Sequence, residues 1–151
     1  MSGPPRVLLC YDGTDESRAA VEATAELFPG SAVVVVCFWH PLAAVARRFA
    51  ISILDLVQDP TQIDERESEL AEVTAEDGAT LARSHGLDAR PVTQGVNGQL
   101  DQTVVELAER SEASLVVIGA RKGSAIGSML TGDVARDIVN RSTIPVLVIP
   151  R

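Results

Sequence analysis

Ser114-Leu-Val-Val-Ile-Gly-Ala-Arg-Lys-Gly-Ser-Ala-Ile-Gly-Ser-Met-Leu-Thr-Gly-Asp-Val134 sets the reading of the whole chain. The aliphatic run Leu115 to Ile118 stops at Gly119, and a basic segment punctuated by glycine follows. Gly132-Asp133-Val134 then opens a helical pattern that spans Met129 to Arg141, with Val134, Ile138 and Val139 expected to face inward. Strand, glycine loop and helix start together suit a phosphate: glycine lets backbone approach a ligand, and N–H groups at a helix start attract negative charge. An ordinary strand-to-helix crossover that uses glycine only for turning gives the same pattern. Both readings stand at this point.

Similar aliphatic runs recur on either side. Arg6 to Tyr11 reads as a short buried strand ending at an Asp12-Gly13 turn, and Thr14 suits a helix N-cap with Asp15 and Glu16 in the first turn. The helix that follows carries Ala20, Ala23, Leu27 and Phe28 on one stripe, and Pro29-Gly30 ends it. Ala32 to Phe38 lacks polar alternation, so it reads as an interior strand. Between Pro41 and Pro60, apolar residues from Leu42 to Leu56 recur at steps of three or four, which predicts a helix closing over the sheet edge. A lid or partner-binding element is the alternative for that segment. Thr61 to His85 reads as a long amphipathic helix with Leu70, Val73, Leu81 and Ala82 inward and Gly78 marking close packing. Ala89 to Thr93 suits an edge strand, Leu100 to Ala108 a further helix, and Ile144 to Pro150 a last strand whose prolines favour an edge.

Strands alternating with helices predict an α/β fold built on a parallel sheet, with right-handed crossovers. Ligands on such sheets bind at the carboxyl ends of the strands. Tyr11-Asp12-Gly13 and Gly119-Ala120-Arg121 sit at two such ends and meet over one crevice if their strands are neighbours, with Trp39 and His40 nearby.

The composition is 46% apolar but only 3% aromatic, so the core is aliphatic, as a sheet buried on both faces requires. A formal charge of −8 argues against non-specific nucleic-acid binding, which needs a basic face. Cys10 and Cys37 both lie in apolar runs and read as small buried hydrophobes. No apolar run is long enough to span a membrane, and the N-terminus lacks a signal-peptide layout. The expectation is a cytoplasmic protein.

The chain resembles the universal stress protein family along essentially its whole length. The resemblance rests on Val-Leu-Leu-Cys-Tyr-Asp-Gly-Thr14 with Ser17 after it, a second strand ending in His40-Pro41, and the Gly95 turn before Leu-Asp-Gln-Thr-Val-Val-Glu-Leu-Ala108. Ala-Ser-Leu-Val-Val-Ile-Gly-Ala-Arg121 and the closing Ile-Pro-Val-Leu-Val-Ile-Pro150 complete it. What it implies is a single doubly wound, Rossmann-like domain over residues 1–151, with a five-stranded parallel sheet in the order 3-2-1-4-5. It also implies a homodimer paired through the last strand, residues 144–150. Many members bind ATP through a motif G-x2-G-x9-G-(S/T) after the fourth strand. Gly119 and Gly132 match its outer glycines, whereas Lys122 stands at the middle glycine and Asp133 at the Ser/Thr. Asp12 matches the aspartate that contacts the nucleoside, and the backbone near Phe38 matches the strand end that meets adenine.

The departures have opposite signs. Lys122, beside Arg121, brings positive charge to the phosphate side. Asp133 opposes a phosphate unless a cation such as Mg²⁺ intervenes, at a cost of roughly ten- to a hundred-fold in affinity within a desolvated crevice. Alternatively, Asp133 caps the last helix. Tyr11, Asp12, Gly13, Phe38, Gly119, Arg121, Lys122, Gly132, Asp133 and Val134 are thus the expected nucleotide site. No Ser-His-Asp set, zinc-ligand spacing or Walker loop is present, so the expectation is a non-enzymatic, ATP-binding regulatory module of the stress response. The second reading is a dimeric stress-associated interaction protein that has lost nucleotide binding.

Overall fold

Strand β1 (Val7–Cys10) is only four residues long, yet it sits at the middle of a five-stranded sheet. The computed structural model describes residues 3–49, 59–120 and 132–150. The elements that follow are α1 (Asp15–Leu27), β2 (Ala32–Trp39), α2 (Leu42–Phe49), α3 (Pro60–Ser84) and β3 (Asp88–Gly95). They continue with α4 (Leu100–Arg110), β4 (Leu115–Ala120), α5 (Gly132–Arg141) and β5 (Val146–Pro150). The order is β3-β2-β1-β4-β5 and every pairing is parallel, as the resemblance implied.

Side chains of β1 alternate between two cores. Val7, Leu9 and Tyr11 join Val33, Val35 and Val117 beneath α1 and α3. Leu8 and Cys10 join Val34, Val36, Phe38, Val116 and Ile118 beneath α4 and α5. All four β1 side chains are fully buried, which is why the strand reads as an unbroken aliphatic run. The crossed sides also separate the two cysteines. Cys10 faces the α4–α5 core and Cys37 packs with Ala71 and Ala75 of α3, so no disulfide joins them.

Three helix faces differ from expectation. On α1 the buried residues are Ser17, Ala20, Val21 and Thr24 together with Glu16, while Leu27 is exposed. Burying this polar stripe is inexpensive because the hydroxyls donate within the helix, Ser17 to the Thr14 carbonyl at 2.9 Å and Thr24 to the Ala20 carbonyl at 2.7 Å. On α3 the inward face is Ala71, Ala75, Gly78, Ala79 and Ala82, and Leu70 and Val73 point to solvent. The cause is proximity: a Cβ on Gly78 would lie 2.6 Å from Tyr11 Cδ1 and 2.9 Å from Val35 Cγ1. A helix seated that low on the sheet admits only short side chains. On α5, Ala135 and Ile138 are buried, Val134 is half-buried against the same core, and Val139 is exposed. The α2 expectation holds for Leu42–Phe49, and its remainder, including Ile53 and Leu56, lies outside the described residues.

Gly78→Ala separates the two effects acting on α3. Ala is favoured over Gly in a helix by about 1 kcal/mol, but forcing a methyl into a filled contact costs about 1–3 kcal/mol. The substitution is therefore expected to lower the urea midpoint. A raised midpoint would mean that α3 rides loosely on Tyr11 and Val35.

Candidate functional site

The last β1 pairings are Cys10 with Val36 of β2 and with Ile118 of β4. Both neighbours continue, β2 to Trp39 and β4 to Ala120. The short central strand therefore leaves a notch at the carboxyl end of the sheet, two strand spacings or about 10 Å across. Tyr11, Asp12 and Gly13 form its floor, Phe38 and Trp39 one wall, Gly119 and Ala120 the other. The two strand ends that the sequence places over one crevice, residues 11–13 and 119–120, are on neighbouring strands.

The floor is held by local hydrogen bonds. Gly13 has φ +79°, a left-handed conformation that turns the chain from β1 into α1 and that favours glycine. Asp12 is half-buried, and its Oδ1 accepts from the Thr14 amide at 3.1 Å and from the Thr14 hydroxyl. Its own amide donates to Ser17 Oγ at 3.4 Å. Thr14 in turn caps α1, its hydroxyl accepting from the Ser17 amide. One small network thus fixes both the helix start and the direction of the Asp12 carboxylate. Ser17, quoted above only for its family resemblance, is a full member of it.

Parity along β2 determines what its wall offers. The Val36 carbonyl accepts from the Tyr11 amide, on the β1 side, and the Trp39 carbonyl accepts from the Val96 amide, on the β3 side. Backbone groups of successive strand residues alternate in direction, so the Phe38 N–H and C=O point to the β1 side, beyond the last β1 pairing. They present one donor and one acceptor to the notch. The Phe38 ring itself is buried in the α4–α5 core.

A cavity of about 410 Å³ adjoins this wall, lined by Cys37 to His40, by Leu42 and Val45 of α2, and by α3 residues that include Leu70 and Thr74. Thr74 also flanks Gly13, whose missing Cβ would lie 3.7 Å from its methyl group, so one side chain stands between the cavity and the notch floor. Two signals for this wall went unread in the sequence. Asp64 Oδ1 accepts from the Leu42 amide at 2.8 Å, which ties the start of α2 to α3 across 22 residues. The early turns of α3 supply much of the lining.

The other expected site residues separate by role. The Tyr11 side chain leaves the notch, is 1% exposed, and donates from its hydroxyl to Asp77 Oδ2 at 2.8 Å. Gly119 makes room for α1: a Cβ there would lie 2.1 Å from the Glu16 carbonyl oxygen, so its close approach is to protein backbone. Asp133 lies inside the first turn of α5, where the helix dipole favours it, and pairs with Arg136 at 3.2 Å. Its side chain is 85% exposed, so water screens the repulsion expected in a desolvated crevice. Gly132 is exposed, Val134 packs inward, and Arg121 and Lys122 lie outside the described residues. Burial raises the Cys10 thiol to about 12 and the Cys37 thiol to about 11, with the Asp12 charge adding to both, so neither is a thiolate near neutrality. Among the described residues no cluster of His, Cys, Asp or Glu could hold a metal ion.

A profile of the universal stress protein family matches residues 4–150. The chain belongs to that family. A relative from Thermus aquaticus, a universal stress protein in the QAH/OAS sulfhydrylase 3′ region, is 26% identical over 152 residues, covering 95% of this chain and 96% of its own. The universal stress protein of Archaeoglobus fulgidus, solved in complex with dAMP, superposes with a TM-score of 0.60 at 17% identity, covering 96% of this chain and 97% of that one. A family member from Arabidopsis thaliana, solved with AMP bound, gives a TM-score of 0.61 at 13% identity over 98% and 92%. These structures share the doubly wound, Rossmann-like architecture. Among the described residues no helix is long and apolar enough to cross a membrane.

Tyr11 is the only tyrosine, which makes its setting measurable. Burial first, then the hydrogen bond and charge of Asp77, push its hydroxyl up to about 12 from the ordinary 10. The folded protein keeps this proton where the unfolded chain loses it. Tyr11 therefore has no effect on stability below about pH 10 and removes stability as pH rises from about 10 to 12. Phenolate absorbance of the native protein is expected to titrate near 12 and to move down in Asp77→Asn. A native midpoint near 10 would show the ring solvated.

Proposed function

We propose that this family member is a regulatory module whose notch holds an adenine nucleotide, ATP with Mg²⁺ in the fullest form. The observation that carries the reading is the Phe38 backbone pair facing the notch above β1. In this reading the Phe38 N–H donates to adenine N1 and its C=O accepts from the N6 amine. Guanine presents the inverse pattern and leaves both groups unsatisfied. The cavity beside Trp39 is mainly aliphatic and aromatic, which suits a planar base. Asp12, oriented by Thr14, accepts from ribose hydroxyls, and the phosphates run along β4 toward Gly132; Arg121 and Lys122 follow β4 in sequence and offer charge, and Asp133 would help to hold Mg²⁺. Two structural relatives are solved with dAMP and with AMP, which supports an adenine nucleotide as the class of ligand. Binding without turnover fits best, because the described wall and floor provide no base set to activate water. Calorimetry with ATP and Mg²⁺ is expected to give saturable heat, with GTP at least about tenfold weaker. No heat at millimolar ATP would sink the reading and leave the second one, an interaction protein without nucleotide.

We further propose a homodimer through residues 144–150, the edge strand β5 and the two residues that lead into it. Val146, Leu147, Val148 and Ile149 are all only half-buried, and an edge of such aliphatic residues favours pairing with another strand. Val148→Lys is expected to give monomers by light scattering. A persistent dimer would place the interface elsewhere.

A further inference from the structure

The first turns of α3 stand away from the core, since its buried residues begin only at Ala71. On this stretch Ile63, Leu70 and Val73 are exposed, three of the five exposed large apolar side chains among the described residues. Their spacing is that of a packing seam. Ile63 and Leu70 fall at the a positions of a heptad and Val73 at d, which sets one apolar strip along the rim of the cavity beside Trp39, with Val73 on its solvent side. Arg66 fills the intervening d position, and Asp77, paired with Arg18 at 3.6 Å, closes the strip at its far end. The flanking e and g positions are Gln62, Glu67, Glu69, Thr74 and Glu76. Glu76 is already paired with Arg83 at 2.9 Å, so Glu67 and Glu69 set the sign of the flanks. Over its whole length α3 carries seven carboxylates against two guanidiniums.

We propose that this seam is a docking surface for a basic amphipathic helix of a partner protein. Aliphatic side chains of the partner pack on Ile63, Leu70 and Val73, while its lysines or arginines meet Glu67 and Glu69. Charge excludes the other occupants. A second copy of this chain would set glutamates against glutamates along both flanks. Anionic lipid and nucleic acid are repelled by the same carboxylates. The strip from Ile63 to Val73 is only about 16 Å long at helical rise, so the contact is small, weak and sensitive to salt. Ile63, Glu67 and Leu70 also line the cavity beside Trp39, so peptide binding is measured without nucleotide, and its failure leaves the nucleotide reading untouched.

The test uses the full chain and three synthetic helical peptides of equal length, followed by fluorescence anisotropy at physiological and high salt. One has Leu at a and d with Lys at e and g; the second replaces Lys by Glu; the third keeps Lys but replaces Leu by Ser. Only the first is expected to bind, and high salt weakens it. Leu70→Gln/Val73→Gln, exposed positions whose change leaves the fold intact, is expected to weaken it at least about tenfold. Glu67→Gln/Glu69→Gln is expected to flatten the salt dependence. Equal binding of the Leu and Ser peptides, or of wild type and the Leu70/Val73 variant, would reduce the effect to general charge attraction and overturn the proposal. No binding by the first peptide would overturn it as well. A protein that loses self-association on Leu70→Gln/Val73→Gln would assign the seam to a second copy instead.

Discussion

Everything at the carboxyl end of this sheet depends on β1 stopping first. Cys10 is its last paired residue, while β2 runs on through Phe38 and Trp39 and β4 through Gly119 and Ala120. A central strand shorter than its neighbours leaves an opening about two strand spacings wide, walled by backbone that has no strand beside it on the β1 side. Gly13, in a left-handed conformation, makes the early stop possible by turning the chain into α1. Gly119 makes it stable, because only a residue without Cβ lets the Glu16 carbonyl settle against β4. The glycine that looked like a phosphate contact is therefore first a packing residue, placed by the helix that β1 leads into.

Strands were the legible part of the sequence. A parallel strand buried on both faces has to be aliphatic throughout, and Val7–Cys10, Val33–Val36 and Leu115–Ile118 carry that mark with no competing pattern. Helix faces were harder, for a physical reason that differs between α1 and α3. In α1, Ser17 and Thr24 satisfy their hydroxyls on the helix backbone, so burying them costs little and the stripe looks polar. In α3, closeness to Tyr11 and Val35 selects Gly and Ala, leaving larger aliphatic residues to point outward. Apolar periodicity reports side-chain size as well as direction, and α3 separates the two.

The candidate site divides in the same way. Asp12 and Gly13 were legible because a strand, an Asp-Gly turn and a capping threonine are all local features. The wall made by α2 and α3 was not, since it depends on Asp64 reaching back to Leu42. The Phe38 peptide group carried no signal in its side chain, which is buried on the opposite face. Its direction follows from strand parity and from where β1 ends, both tertiary facts. Asp133 reads differently in place as well: solvation and Arg136 moderate its charge, so the departed motif is a weaker objection to phosphate than it looked.

The central claim is that the Phe38 backbone, left without a β1 partner by that strand's early end, reads the edge of an adenine base. The direct measurement is the amide resonance of Phe38 in isotopically labelled protein, titrated with ATP and, separately, with GTP. A downfield shift of the Phe38 N–H that saturates with ATP, and is absent with GTP at the same concentration, is the predicted result. Saturable ATP binding that leaves the Phe38 amide unmoved, or an equal shift with GTP, would contradict it.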